Sequence, residues 1–139
     1  MAKAKQILLI EPDNILGQTL SGALESAGHK VIHVATAQDG VTMADKITPD
    51  MVILELQLVG HGGIEFLCEF RSYKDWENIP AIIYSTVPPL EFRASRESLS
   101  GELGVVAYLY KPNTSLLDLL RAVDNNLARK RELSADAAA

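Results

Sequence analysis

MVILEL, residues 51–56, is an apolar run interrupted only by a single carboxylate, Glu55. A half-solvated strand alternates apolar and polar residues, so a run without a polar face reads as a strand covered on both sides, as parallel strands are. Four further runs flank it: QILLI (6–10) and KVIHVA (30–35) before it, AIIYS (81–85) and VVAYLY (105–110) after it. Longer segments of helical period separate them. The alternation predicts βαβ units wound around one parallel sheet, an α/β fold with five strands and five helices distributed over both faces.

The helical segments carry start and stop signals. Asn14 is placed to cap the first helix, whose apolar face is Ile15, Leu16, Leu20, Ala23, Leu24 and Ala27, with Gly28 just past its end. Thr36 and Asp39 form a capping-box-like start to the second, and Pro49 ends it. The third is expected from Gly63 to Ser72. Pro88 and Pro89 open a weakly amphipathic fourth segment, EFRASRESLSGEL. Asn113 is expected to cap the fifth, with Leu116, Leu117, Leu119, Leu120, Val123 and Leu127 as its stripe. One domain over 5–129 is expected, followed by a disordered polar and Ala-rich tail, 130–139.

With 139 residues, 47% apolar and 22% charged, the chain falls in the range of one globular domain. Its lone cysteine, Cys68, allows no internal disulfide and suits a reducing compartment. Lys3 and Lys5 precede an apolar stretch, but Glu11, Pro12 and Asp13 interrupt it too early for a signal peptide, so a cytoplasmic location is expected. No apolar run approaches the roughly 20 residues of a membrane helix. The net charge of −5 disfavours nucleic acid and anionic lipid as partners.

In a wound parallel sheet, ligands sit beyond the carboxyl ends of the strands, where strand order reverses. Those ends carry Glu11, Pro12 and Asp13 after the first strand, Glu55 near the end of the third, Ser85 and Thr86 after the fourth, and Lys111 and Pro112 after the fifth. Carboxylates, a hydroxyl and a lysine therefore converge on one edge.

The segments PDMVILE (49–55), GGIEFL (62–67), AIIYS (81–85) and GVVAYLYKP (104–112), in this order and spacing, resemble the receiver domain of bacterial two-component response regulators. The resemblance covers residues from about 5 to 129 and implies strand order 2-1-3-4-5. It also implies roles. Glu11 matches the first of two acidic residues that hold Mg²⁺, while Pro12 stands at the second; Glu55 matches the phosphoacceptor aspartate; the main-chain carbonyl of Gln57 matches a metal ligand. Ser85 matches the hydroxyl that receives the phosphoryl oxygen, Lys111 its ion-pairing partner, and Tyr108 the aromatic that reports the switch. The segment from Ser85 to Gly104 is about four residues longer than the family's usual spacing, close to one helical turn, which points to a non-standard partner surface.

Two departures shape the expected function. Glutamate at position 55 displaces the nucleophile by about one bond length, and misplacement of that order can cost about a hundredfold in rate. Pro12 removes a metal carboxylate. Asp13 can replace it only by turning inward, so no cofactor is expected beyond weakly held Mg²⁺ at Glu11 and Gln57. The expectation is a non-enzymatic, receiver-like signalling module acting by protein contact without phosphorylation. Its partner would be a histidine kinase or a downstream effector, and its oligomeric state is open. In one version Glu55 reaches Lys111 and Ser85 and imitates the phosphorylated state; in another phosphorylation is simply lost.

Two alternatives are a weakly switchable regulator controlled by metal or ligand in the acidic pocket (Glu11, Asp13), and a flavodoxin-like FMN carrier. The loop EPDN argues against the flavin, since it brings negative charge where phosphate needs free amides. His61 reads as a solvated loop residue, His29 and His33 as structural, and Trp76 as packing. Thr86 reads as a partner for backbone groups at the strand end.

Overall fold

The computed structural model describes residues 4–89, 101 and 103–138, with 129–138 in backbone only. The fourth helix expected after Pro88 lies outside the described residues. Among the described residues are five strands: β1 (Gln6–Ile10), β2 (Lys30–Val34), β3 (Met51–Leu54), β4 (Ala81–Ser85) and β5 (Val105–Tyr110). They form one parallel sheet in the order β2-β1-β3-β4-β5. Four helices are described: α1 (Asn14–Ser26), α2 (Ala37–Ile47), α3 (Gly63–Arg71) and α4 (Leu116–Ala138).

Side chains alternate across the central strands, and the two sets build two cores. Leu8, Ile10, Val52, Leu54 and Ile83 pack with Ala44 of α2 and with Phe66, Leu67 and Phe70 of α3. Ile7, Leu9, Met51, Ile53 and Ile82 pack with Leu20 and Leu24 of α1 and with Leu119, Val123 and Leu127 of α4. β3 and β4 are buried at every position, as their almost wholly apolar composition requires, with Ser85 the one small polar residue at the end of β4. Trp76 is buried against Phe70, ring centroids 5.0 Å apart.

Helix ends follow local hydrogen bonding, and two expected caps move. Asp13, not Asn14, caps α1: its backbone is extended and its Oδ1 accepts from the amides of Ile15 (3.0 Å) and Leu16 (3.1 Å). Gly28, at φ +97°, follows the C-cap Ala27 as expected. Thr36 caps α2 by accepting from the Asp39 amide at 3.1 Å. Asn113 does not cap α4, because Lys111–Asn113 form a 3-10 turn and the chain extends again at Thr114. The capping box is Ser115 with Asp118: each amide donates to the other's side chain, at 3.0 and 3.1 Å. α4 then continues through Ala138, across the stretch the sequence reading treats as a disordered tail.

β5 contains a register shift that its sequence does not announce. Ala81 pairs with Val105 but Ile82 with Ala107, leaving Val106 as an extra residue, 42% exposed. The bulge changes the parity of the strand. Val105 and Tyr108 therefore face the α2/α3 core, while Ala107 and Leu109 face the α1/α4 core.

Candidate functional site at the carboxyl edge of the sheet

The register of the parallel ladder assembles the site. Ile10 pairs with Leu54, so Glu11 and Glu55 leave adjacent strands side by side. Ile83 pairs with Leu54, and Ser85 with Tyr110, which brings Ser85 beside Glu55 and Lys111 just past the end of β5. Backbone bonds hold both glutamates in place: the Glu11 amide donates to Val34 O (2.9 Å) and the Glu55 amide to Ile10 O (3.0 Å).

Glu11 (2% exposed), Glu55 (3%) and Ser85 (0%) are the buried polar residues among those described. Buried carboxylates require partners, and these have them. Lys111 Nζ lies 2.7 Å from Glu11 Oε1 and 2.8 Å from Glu55 Oε1, bridging the two. Glu55 Oε1 also accepts from the Thr86 amide at 3.2 Å. Glu55 Oε2 accepts from the amides of Leu56 (2.7 Å) and Gln57 (3.1 Å), and the Ser85 hydroxyl donates to it in a short bond. Burial works to raise the Glu55 carboxyl, but the bonds from Lys111, Ser85 and Gln57 outweigh it and hold the group below its ordinary value. Burial likewise works against the charged Lys111, and Glu11 and Glu55 overcome it, so the ammonium is held above its ordinary value.

A chain of hydrogen bonds leads from this carboxylate to β5. Ser85 Oγ accepts from the Val87 amide at 3.0 Å, and the Tyr108 hydroxyl donates to Val87 O at 2.6 Å. Glu55, Ser85, Val87 and Tyr108 are thus linked in series. Tyr108 has its hydroxyl bonded inside the protein while its ring packs on the α2/α3 core.

The residues singled out from sequence mostly converge, with one exception. Asp13 does not turn into the pocket. Its carboxylate is committed to the α1 amides, and only its main-chain amide reaches inward, donating to Glu11 Oε2 at 3.1 Å. Gln57 gives its amide to Glu55, and its Oε1 lies 3.2 Å from Thr86 Oγ1. Sequence reasoning missed the amides of Leu56, Gln57 and Thr86 as carboxylate partners, because backbone donors leave no mark in side-chain identity. His33 has a more definite place than its structural assignment suggests. Its Nε2 donates to the Glu11 carbonyl at 2.8 Å, and its ring lies where a Cβ on Gly17 would stand. His29 pairs with Asp124, and His61 with Glu65 on the surface.

A family model for the response regulator receiver domain matches residues 7–124. The chain belongs to that family. Among curated relatives, the receiver is 31% identical over 106 residues to the KDP operon transcriptional regulatory protein KdpE of Escherichia coli K12, covering 76% of this chain and 44% of the relative. It is 27% identical over 135 residues to the transcriptional regulatory protein PdtaR of Mycobacterium tuberculosis, covering 96% of this chain and 62% of the relative. The chain therefore spans less than two thirds of either protein. Its fold matches a CheY-like receiver domain protein from Methanospirillum hungatei JF-1, with TM-score 0.81, 24% identity and coverage of 93% and 98% of the two chains. It also matches the receiver domain of a Pseudomonas aeruginosa sensor histidine kinase, with TM-score 0.74, 22% identity and coverage of 90% and 98%. That structure has a magnesium ion coordinated in its active-site cleft.

The donor set of this receiver does not fit such an ion. The oxygens of Glu55 and Glu11 are engaged by Lys111, Ser85 and backbone amides. Pro12 offers no carboxylate, and Asp13 is committed to the helix end. Among the described residues, no group of three or more His, Cys, Asp or Glu is placed to hold a metal. No helix among them is long and apolar enough to cross a membrane.

Proposed function

We propose that this receiver signals by protein contact without accepting a phosphoryl group, and that Glu55, at the phosphoacceptor position, holds it in one state by bonding to Lys111 and Ser85. The observation that carries this reading is the division of one buried carboxylate between the two groups. Oε1 meets Lys111 Nζ at 2.8 Å, and Oε2 takes the Ser85 hydroxyl. Those are the partners that the family resemblance gives to a phosphoryl group. The link from Ser85 through Val87 to Tyr108 supplies a route by which the carboxylate's position reaches β5.

Chemistry at Glu55 is opposed from two directions. A nucleophilic carboxylate needs an oxygen aligned with an incoming phosphorus atom, and both Glu55 oxygens are occupied by internal donors. Nucleophilicity is lowered further because those donors stabilise the anion. A single carboxylate brings about one negative charge where a phosphoryl group brings nearly two, so the held state is supported by fewer contacts than phosphorylation supplies. The partner is a histidine kinase or downstream effector in the cytoplasm, and the module turns over no substrate.

Incubation with acetyl phosphate and Mg²⁺, followed by intact mass, tests the reading. The mass is expected to stay unchanged. A stable gain of one phosphoryl group that disappears in Glu55→Gln would overturn it. Amide NMR gives a second arm: Glu55→Ala is expected to move the signals of Ser85, Val87 and Tyr108 together, and a change confined to residues adjoining position 55 would remove the proposed route.

A further inference from the structure

A carboxylate pair holds a divalent cation when it has open oxygen lone pairs and a net negative charge to neutralise. At this edge of the sheet Lys111 neutralises one of the two carboxylate charges, and internal donors take most of the lone pairs. Glu55 Oε1 faces Lys111 Nζ at 2.8 Å, the Thr86 amide at 3.2 Å and the Thr86 hydroxyl at 3.4 Å. Oε2 faces the amides of Leu56 and Gln57 at 2.7 and 3.1 Å and the Ser85 hydroxyl. A carboxylate has about four lone-pair positions, so none is left on Glu55 for a metal. Glu11 gives Oε1 to Lys111 at 2.7 Å and Oε2 to the Asp13 amide at 3.1 Å.

Lys111 Nζ is within 2.8 Å of one oxygen from each carboxylate, the position a shared cation takes. Its placement is fixed from another side by the Tyr84 ring, whose centroid is 5.5 Å away. A divalent ion entering between Glu11 and Glu55 would meet this ammonium at close range, or would have to displace it and leave a partly buried positive charge without partners.

We infer that the Lys111 ammonium is the resident cation of this pocket in place of a divalent metal, and that Lys111 is the residue that excludes such metals. The inference shares with the proposed function the internally bonded Glu55, but it concerns the metal and not the phosphoryl group. It makes the folded state independent of Mg²⁺. It also identifies a latent site, since two carboxylates on adjacent parallel strands would lack a counter-ion once the ammonium is gone.

Mn²⁺ is the probe, because it shares the preference of Mg²⁺ for oxygen ligands and its free form is visible by electron paramagnetic resonance. The full chain is titrated with Mn²⁺, and its melting temperature is followed with and without millimolar Mg²⁺. The wild type is expected to leave Mn²⁺ free and to shift its Tm by less than about 1 °C. Lys111→Met keeps the apolar stem and removes the charge. It is expected to bind Mn²⁺ at least about tenfold more tightly than the wild type, and Glu11→Gln added to it should abolish the gain.

Wild-type Mn²⁺ binding that Glu11→Gln removes would overturn the inference, as would a folded Lys111→Met that binds no better than the wild type. If Lys111→Met fails to fold without metal, the wild-type titration decides alone. Metal binding by the wild type without phosphoryl gain sinks this inference and leaves the proposed function standing. A phosphoryl group accepted by a protein that binds no Mn²⁺ does the reverse.

Discussion

Ser85 performs two tasks with one oxygen: its hydroxyl donates to Glu55 and accepts from the Val87 amide at 3.0 Å, in a site with no solvent exposure. Ser85→Ala removes both bonds and leaves a buried amide without its acceptor, a loss of about 1–3 kcal/mol. Urea unfolding is expected to show that loss as a lower midpoint at unchanged slope. Thr86 is the control at the adjacent position. Its main-chain amide, at 3.2 Å, survives side-chain truncation, and its exposed hydroxyl is 3.4 Å from the same carboxylate. Thr86→Ala should therefore fall within about 0.5 kcal/mol of the wild type. Equal losses at the two positions would mean that the Ser85 hydroxyl is not the partner that matters.

Elements bring these residues together, and α3 does so by close approach. A Cβ on Gly63 would lie 2.7 Å from the Leu56 Cα and 2.8 Å from the Glu55 carbonyl, both backbone atoms that cannot swing aside. Gly63→Ala is expected to cost about 2–3 kcal/mol and to disturb the amide signals of Glu55 and Leu56, because the start of α3 must lift away from β3. Gly22, inside α1, has nothing within 4 Å of its would-be Cβ, so Gly22→Ala should stabilise by about 0.5–1 kcal/mol through helix propensity alone. Thermal melts of the two variants should shift in opposite directions. The strands were legible because each was marked by a short β-branched or aliphatic run, and the central ones by runs such as MVILEL that only a doubly covered sheet can bury. The convergence of Glu11, Glu55, Ser85 and Lys111 followed from knowing which strand ends share an edge. The bulge at Val106 was not legible: VVAYLY reads as a plain strand, and the extra residue appears only in the pairing of Ile82 with Ala107. The caps were misplaced by one or two residues because Asp13, Asn14, Asn113 and Ser115 are all competent cap residues. Backbone conformation at Asp13 and the 3-10 turn at Lys111–Asn113 select among them.

At the scale of the whole molecule, the buried ion triad ties global stability to pH at both ends of the range. Glu55 is held below its ordinary value of 4.5. Its contribution is therefore present above the carboxyl pKa of the unfolded chain and is lost as pH falls through the lowered folded value. Lys111 is held above its ordinary value of 10.5, so its contribution is present below the unfolded lysine pKa and is lost as pH rises through the raised folded value. Between these limits the two groups contribute a plateau. Asp118, lowered by its bonds to Ser115, adds to the acid limb from the start of α4. Glu55→Gln cannot titrate at position 55, so the acid limb of its stability profile should become shallower while the Asp118 portion persists. The same substitution removes one of the two carboxylates that raise Lys111, and the alkaline limb should move to lower pH. Urea midpoints measured from about pH 3 to about pH 11 for both proteins test the two shifts together. If the acid limb flattened and the alkaline limb stayed in place, Lys111 would be held by Glu11 alone, and the bridge joining β1, β3 and the end of β5 would not function as one unit.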